Sequence, residues 1–273
     1  MAVRGPTSIL VMPLALHRLL EAPELAGHRD MWSAAPRALA ARHGLVHTRA
    51  GGADCVAAAG LPGLRVLNHA LGAIADPAAV ERFFVRQGVP ARVGVPEGSA
   101  AERAVAARGY ERDLAWMKFA RDPRAPVPEP ETAGLAVRPV AAGDAHRMGE
   151  LVAASFGLPG DLGGWFAPLA TRPGWHCLGA YDGGRLVATG SLFAAAGGGW
   201  ASLAATDPAH RGRGAQGALL AARILVARRL GLRHVVVETG EPVGGSPGPS
   251  WRNVLRAGFL PVFLRPFWRS TPA

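Results

Sequence analysis

The stretch Ala204-Ala-Thr-Asp-Pro-Ala-His-Arg-Gly-Arg-Gly-Ala-Gln-Gly-Ala-Leu-Leu220 decides how this chain is read. Before it, a short apolar run from Trp200 to Thr206 predicts a strand that stops at Asp207-Pro208. After it, an Ala/Leu-rich pattern predicts a helix over Gly212 to Leu230, with Leu219, Leu220, Ile224 and Val226 on its buried side. Between the two lies a loop of alternating arginine and glycine. Glycines let backbone N–H groups turn toward a ligand, and the start of a helix adds positive potential. Strand, loop and helix start together make an anion site, to which Arg211 and Arg213 add formal charge. Its natural ligand is a pyrophosphate. Gly212-x-Gly214-x-x-Gly217 satisfies the dinucleotide string, a weak signal alone, and the Gly-Lys-Ser/Thr of a Walker loop is absent.

The elements that follow narrow the reading. Arg228, Arg229 and Gly231 form a favourable helix end. Val235-Val-Val-Glu-Thr239 predicts a buried strand by its β-branched run. Ser250-Trp-Arg-Asn-Val-Leu-Arg-Ala-Gly-Phe259 predicts a helix closed by Gly-Phe, and Leu260 to Trp268 predicts terminal strand. With the Arg-Gly-Arg-Gly loop, this series resembles the GCN5-related N-acetyltransferase (GNAT) superfamily over about residues 134–270. The resemblance implies a loop that holds the pyrophosphate of acetyl-CoA. It assigns cofactor contacts to Arg211, Gly212, Arg213, Gly214, Ala215, Gln216 and Gly217, and to Leu203, Ala204, Ala205 and Thr206 on the preceding strand. Gln216 departs from the family pattern, which has Gly or Ala there. Its side chain is expected to face outward from the helix start.

Acyl transfer from a thioester to an amine needs a held donor, a polarised carbonyl, a base and a tolerated thiolate. Backbone N–H groups of the strand before the loop can polarise the carbonyl. Relatives often carry a carboxylate on that strand, but Trp200 to Thr206 holds none. Glu238, at the end of its own strand where the fold's central strands splay, is the expected base. Asp161, Glu241 and His176 stand behind it. The Tyr that many relatives place four residues before the closing Gly is Val254 here. Ser250 serves either the chemistry or as a plain N-cap. Asn253 is assigned to the cofactor. Trp165, Phe166 and Trp251 line an acceptor pocket or belong to the core.

The span Arg121-Asp-Pro-Arg-Ala-Pro-Val-Pro-Glu-Pro-Glu131 reads as a semi-rigid, proline-rich linker. Before it, the chain faintly repeats the second half. Ala107-Arg-Gly-Tyr110 followed by Leu114 to Phe119 parallels Arg256-Ala-Gly-Phe259 followed by Val262 to Trp268. Strands are expected at Arg65 to His69 and Ala91 to Val95, and helices at Pro77 to Gln87 and Ser99 to Arg108. The glycine loop is missing there, since Gly72-Ala-Ile-Ala-Asp-Pro77 has no Arg-Gly-x-Gly. An unrelated α+β domain is the alternative for this half. The expected fold class is α+β. It comprises two GNAT-like domains in tandem, each a mixed, mostly antiparallel sheet flanked by helices. A degenerate domain spans 1–125, the linker 126–134 and the catalytic domain 135–273.

Composition agrees. The chain has 273 residues, enough for two domains, and 49% are hydrophobic, enough for a sizeable core. No apolar run reaches bilayer length. The opening apolar patch, Ile9 to Leu16, is broken by Pro13 and lacks a cleavage site, so it does not read as a signal peptide. Cys55 and Cys177 are the only cysteines, which implies neither a disulfide framework nor a zinc site, and fits the cytoplasm. No metal is expected. The net charge of +10 comes almost wholly from arginine, with Lys118 the only lysine. Such charge steers anions such as CoA. No arginine cluster with interleaved aromatics points to nucleic acid. The resemblance thus implies an acetyl-CoA-dependent N-acyltransferase acting on a small-molecule or peptide amine. Two alternatives remain: a catalytically weak acyl-CoA-binding sensor or scaffold, and a tandem-GNAT aminoacyl transferase that uses charged tRNA.

Overall fold

The computed structural model describes residues 14–242 and 244–270. Most of the opening apolar patch therefore lies outside the described residues. The first half runs α1 (Leu14–Ser33), α2 (Arg37–His43), β1 (Leu45–Ala50), β2 (Ala53–Ala58), β3 (His69–Gly72), α3 (Pro77–Gln87), β4 (Arg92–Gly94), α4 (Ala100–Ala106) and β5 (Glu111–Arg121). The second runs β6 (Ala136–Pro139), α5 (Ala145–Ser155), α6 (Gly163–Phe166), β7 (Trp175–Asp182), β8 (Arg185–Ala195) and β9 (Gly198–Thr206). It closes with α7 (Ala215–Arg229), β10 (His234–Gly240), α8 (Pro249–Arg256) and β11 (Leu260–Arg269).

Where an element boundary shifts from the sequence expectation, a local interaction or backbone conformation explains it. The strand expected from Arg65 begins instead at His69, after a 3-10 turn over Arg65–Leu67. Buried Asn68 forces the turn. Its Oδ1 accepts from Ala58 N–H at 2.9 Å and its Nδ2 donates to the Leu61 and Leu64 carbonyls at 2.9 Å, which ties the preceding loop to β2. The helix expected from Gly212 starts at Ala215, because Gly212 and Gly214 adopt φ values of 77° and 76°.

The strands form one mixed, mostly antiparallel sheet flanked by helices, in the order β1-β2-β3-β4-β11-β5-β10-β9-β8-β7-β6. Only β3–β4 and β9–β10 pair in parallel. This corrects the expectation of a separate central sheet for each half. The last strand of each half crosses to the other: β5 pairs with β10, β11 pairs with β4, and β5 and β11 pair with each other. Without the exchange, β4 and β10 would each present an open edge of unpaired backbone groups.

Apolar side chains pack on both faces. Trp165, Leu162, Trp200 and Val236 join α5 and α6 to one face of the second half, and α1 covers the same cluster with Leu20, Met31 and Trp32. Leu219, Leu220, Ile224, Val254 and Phe259 seat α7 and α8 on the other face. Phe83, Phe84, Val80 and Val93 form a third cluster in the first half.

Candidate functional site

β9 ends at Thr206, and Asp207 caps the next turn by accepting from Ala209 N–H at 3.1 Å. The chain then passes through Arg211 to Gly214 into α7, whose start carries no side-chain cap. Among the described residues, the N–H groups of Gly212, Arg213 and Gly214 have no hydrogen-bond partner. The first N–H groups of any helix also lack internal acceptors. These donors face a cleft of about 1130 Å³.

The charges beside the cleft are not equivalent. Arg213 is held by Asp182 at 2.6 Å, whereas exposed Arg211 makes no ion pair among the described residues. The proline-rich span is a wall of this cleft rather than a free spacer. Arg228 donates to the Pro123 and Ala125 carbonyls, and Ala133 exchanges hydrogen bonds with Arg213. A Cβ on Gly214 would lie 1.8 Å from the Glu131 carbonyl oxygen, so only glycine fits under the wall.

The floor of the cleft is a break in the sheet. β8 and β9 lose register between Thr189–Ala205 and Ser191–Ser202, a bulge in which Leu203 takes φ 49°. On its other side, β9 pairs with β10 only over Gly198–Trp200 and His234–Val236. Beyond that the two strands part, leaving Ser202–Ala204 opposite Val237–Gly240 across a gap.

A second cavity of about 350 Å³ occupies the gap and runs toward the first half. Its walls include Trp165, Phe166, Trp200 and Glu238, with Glu24 and His28 from α1. The two cavities share Ser155, Ala204, Gln216, Arg223 and Ser250. Gln216 does not face outward. Its Nε2 donates to Ser250 Oγ at 3.2 Å and its Oε1 accepts from Asn253 Nδ2 at 2.8 Å, which latches the start of α7 to α8.

Glu238 lies in a buried charge cluster that joins the halves. It accepts from the Lys118 ammonium, and from the Trp200 indole N–H at 3.1 Å. Lys118 also donates to Glu24 at 2.5 Å, and Arg265 binds Glu24 at 2.5 Å and Glu21 at 3.3 Å. Burial and then the Glu24 charge push the Glu238 carboxyl above its ordinary range, against Lys118 and Arg265. Burial would raise Glu24 as well, but Arg265 and Lys118 hold it well below that range. Each Glu238 oxygen keeps acceptor capacity beyond these bonds.

The residues read from the sequence thus separate into two groups. Leu203 to Thr206, the loop from Arg211 to Gly217, Ser250, Asn253 and Glu238 border the joined cavities, though Leu203 and Glu238 border only the smaller one. Asp161, Glu241 and His176 border neither. Asp161 pairs with Arg42 and His43 on the surface, and Glu241 pairs with Arg112. Ser250 is not the N-cap of α8, a position held by Gly248. Trp165 and Phe166 are both core and cavity wall, at 0% and 3% exposure. Trp251 packs edge-on to Phe119 at 4.8 Å and reaches neither cavity. Glu24, Lys118 and Arg265 were missed. The lone lysine inside an apolar strand was the signal available.

A sheet split between two parallel central strands, a bulge before the split and a glycine loop at the helix beside it place the chain among known architectures. The fold is that of the GCN5-related N-acetyltransferases. A GNAT from Sphaerobacter thermophilus matches at TM-score 0.57 and 25% identity, covering 67% of this chain and 59% of its own length. One from Kribbella flavida matches at TM-score 0.63 and 16% identity, covering 93% and 96%. A tandem GNAT protein from the clavulanic acid biosynthesis pathway matches at TM-score 0.53 and 17% identity, covering 71% and 68%. The chain thus spans less than two thirds of the Sphaerobacter protein. No protein-family model and no curated protein matches it. No helix among the described residues is long and apolar enough to cross a membrane.

Proposed function

We propose that the protein is an acyl-CoA-dependent N-acyltransferase acting on a small-molecule or peptide amine, with acetyl-CoA as the donor. The carrying observation is the meeting of two cavities at the bulged end of β9. The cleft fits an acyl-CoA: partnerless N–H groups from Gly212 to Gly214, the start of α7 and unpaired Arg211 suit its pyrophosphate. Bound there, the donor supplies an activated acyl thioester. Leu203 and Ala204, freed from the β8 ladder by the bulge, turn backbone N–H groups toward its carbonyl. Asn253 and Gln216 steady the cofactor side, and Ser250 stands where the cavities join.

Glu238 is the base. It takes the proton of an amine entering the smaller cavity, and burial, by raising its pKa above the ordinary carboxylate range, makes it a stronger base. The first half, residues 1–125, acts as the wall of the acceptor cavity through α1, and 126–134 as the wall of the donor cleft. Residues 135–273 carry the remaining site residues.

The test is calorimetric titration with acetyl-CoA, followed by thiol release on an amine panel. Binding at about micromolar Kd is expected. Glu238→Gln is expected to bind acetyl-CoA normally and to lose about 10²–10⁴ in turnover. A folded protein that binds neither acetyl-CoA nor CoA would overturn the reading. Wild-type kinetics for Glu238→Gln across pH would retire it as base.

A further inference from the structure

Arg223 is out of place by composition. It sits in the third turn of α7 among Leu219, Leu220 and Ile224, and is 1% exposed. Lys118 and Arg265 are equally buried, but both rest against glutamates. Arg223 has no carboxylate within ion-pair distance among the described residues. Its Nε donates to the Leu219 carbonyl of its own helix at 3.0 Å. Its Nη1 reaches the Ser191 and Ser202 carbonyls only at 3.5 and 3.4 Å, and its Nη2 donates to no group among the described residues.

The surroundings make room for this charge. Ser191 and Ser202 are the register pair that flanks the β8–β9 bulge. Gly190 lies beside them on β8, and a Cβ there would stand 3.0 Å from the guanidinium carbon. Arg223 borders both cavities. Burial lowers its pKa to about 10, which leaves it charged at neutral pH. A buried charge without a counter-ion is unfavourable, and an anion arriving beside it removes that penalty.

We propose that Arg223 is the counter-ion of the thiolate released from the acyl donor. The inference rests on the acyl-CoA reading above. Attack by the acceptor nitrogen forms the C–N bond as the C–S bond breaks, and the electron pair stays on sulfur. The proton lost by nitrogen goes to the Glu238 carboxylate and then to solvent. Arg223 pairs with the sulfur until release, when water supplies the proton. Val254 lines the smaller cavity from α8 and has no proton to give, so charge pairing takes that role. Arg223 donates hydrogen bonds but does not give up its proton at ordinary pH.

The test counts protons. Free CoA and its desulfo analogue are titrated calorimetrically at neutral pH in buffers of different ionisation heat. Wild type is expected to release about one more proton for CoA than for the analogue, and to bind CoA about tenfold more tightly. Arg223→Met should lose both differences while its acetyl-CoA affinity stays within about threefold. Arg223→Lys should keep part of the proton release. A residue that merely props the bulge would not move this count. If Arg223→Met does not fold, the wild-type comparison and Arg223→Lys decide. Equal proton release for CoA and analogue in a wild type that binds both overturns the proposal. Failure to bind either ligand or acetyl-CoA overturns the donor reading instead.

Discussion

The start of α7 and the start of α3 are one piece of architecture built twice. Each follows a strand (β9 or β3) that pairs in parallel with the strand after the helix (β10 or β4). At α7 the loop keeps its donors free and a cleft opens in front of them. At α3 the chain satisfies its own donors. Asp76 caps the helix by accepting from Ala79 N–H at 3.1 Å. The Gly51 carbonyl accepts from Ala75 and Asp76 N–H groups at 2.8 and 3.0 Å. A Cβ on Gly51 would lie 2.1 Å from the Asp76 carbonyl oxygen, so the β1–β2 turn fills the space that the cleft occupies in the other half. Topology therefore supplies the position of an anion site. Whether one exists depends on which backbone donors the local sequence leaves unpaired.

Both junctions lie in one sheet and should unfold as one cooperative body. Lys118→Met tests this with the largest effect, since it leaves Arg265 to balance Glu21, Glu24 and Glu238 alone in the seam between halves. A loss of about 3–5 kcal/mol in a single denaturation transition is expected. Two separate transitions would break the comparison at its base. Acid probes the same seam. Burial lowers His28 to about 4 and His69 to about 3, against an ordinary 6.5. The unfolded chain then binds more protons in that window, so the histidines' contribution is full above about pH 6.5 and is lost as pH falls toward about 3. His28 alone contributes on the order of 3 kcal/mol. Glu238, with its raised pKa, acts in the opposite sense as pH climbs through its folded value. Urea midpoints that stay flat over this window would remove the histidines from the seam.

Two paired changes address the junctions themselves. Gly214→Ala and Gly51→Ala should both lower thermal stability, because each places a Cβ on a carbonyl oxygen. Only Gly214→Ala should also weaken acetyl-CoA binding, by about 100-fold or about 2.7 kcal/mol. An equal loss for Gly51→Ala would mean that the first half takes part in binding the donor. The smallest effect belongs to Asp76→Ala, which should cost about 1 kcal/mol of stability by loss of the cap. A gain of CoA binding in that variant would show that the cap alone separates the two junctions.

The legible and the hidden parts of this molecule differ in range. Gly212, Gly214 and the Val235–Thr239 run could be read because backbone geometry and strand propensity act within a few residues. The α3 helix, Pro77 to Gln87, could be read from the helical spacing of Val80, Phe83 and Phe84, and Asp76 and Gly88 cap it at those bounds. The strand exchange was not legible. Nothing near Leu114–Phe119 states that this strand will pair with β10 rather than with its own half. The site divided in the same way. The glycine loop is contiguous in sequence, whereas Glu24, Lys118, Glu238 and Arg265 come from α1, β5, β10 and β11 and meet only in the fold. The partners of Gln216, Ser250 and Asn253, lie more than thirty residues away on α8 and are not legible beside it in the sequence.

Lys118 carries one more consequence. It is the only lysine in the chain, and its side chain has 0% exposure. Acyl thioesters modify exposed lysines without any enzyme, and this protein offers no exposed side-chain amine to the compound it is proposed to hold. Its surface is cationic through arginine alone, which offers an acyl thioester no side-chain amine to mark. Lys118 is thereby also a built-in reporter. An amine-reactive label on that side chain would record each opening of the seam between the two halves.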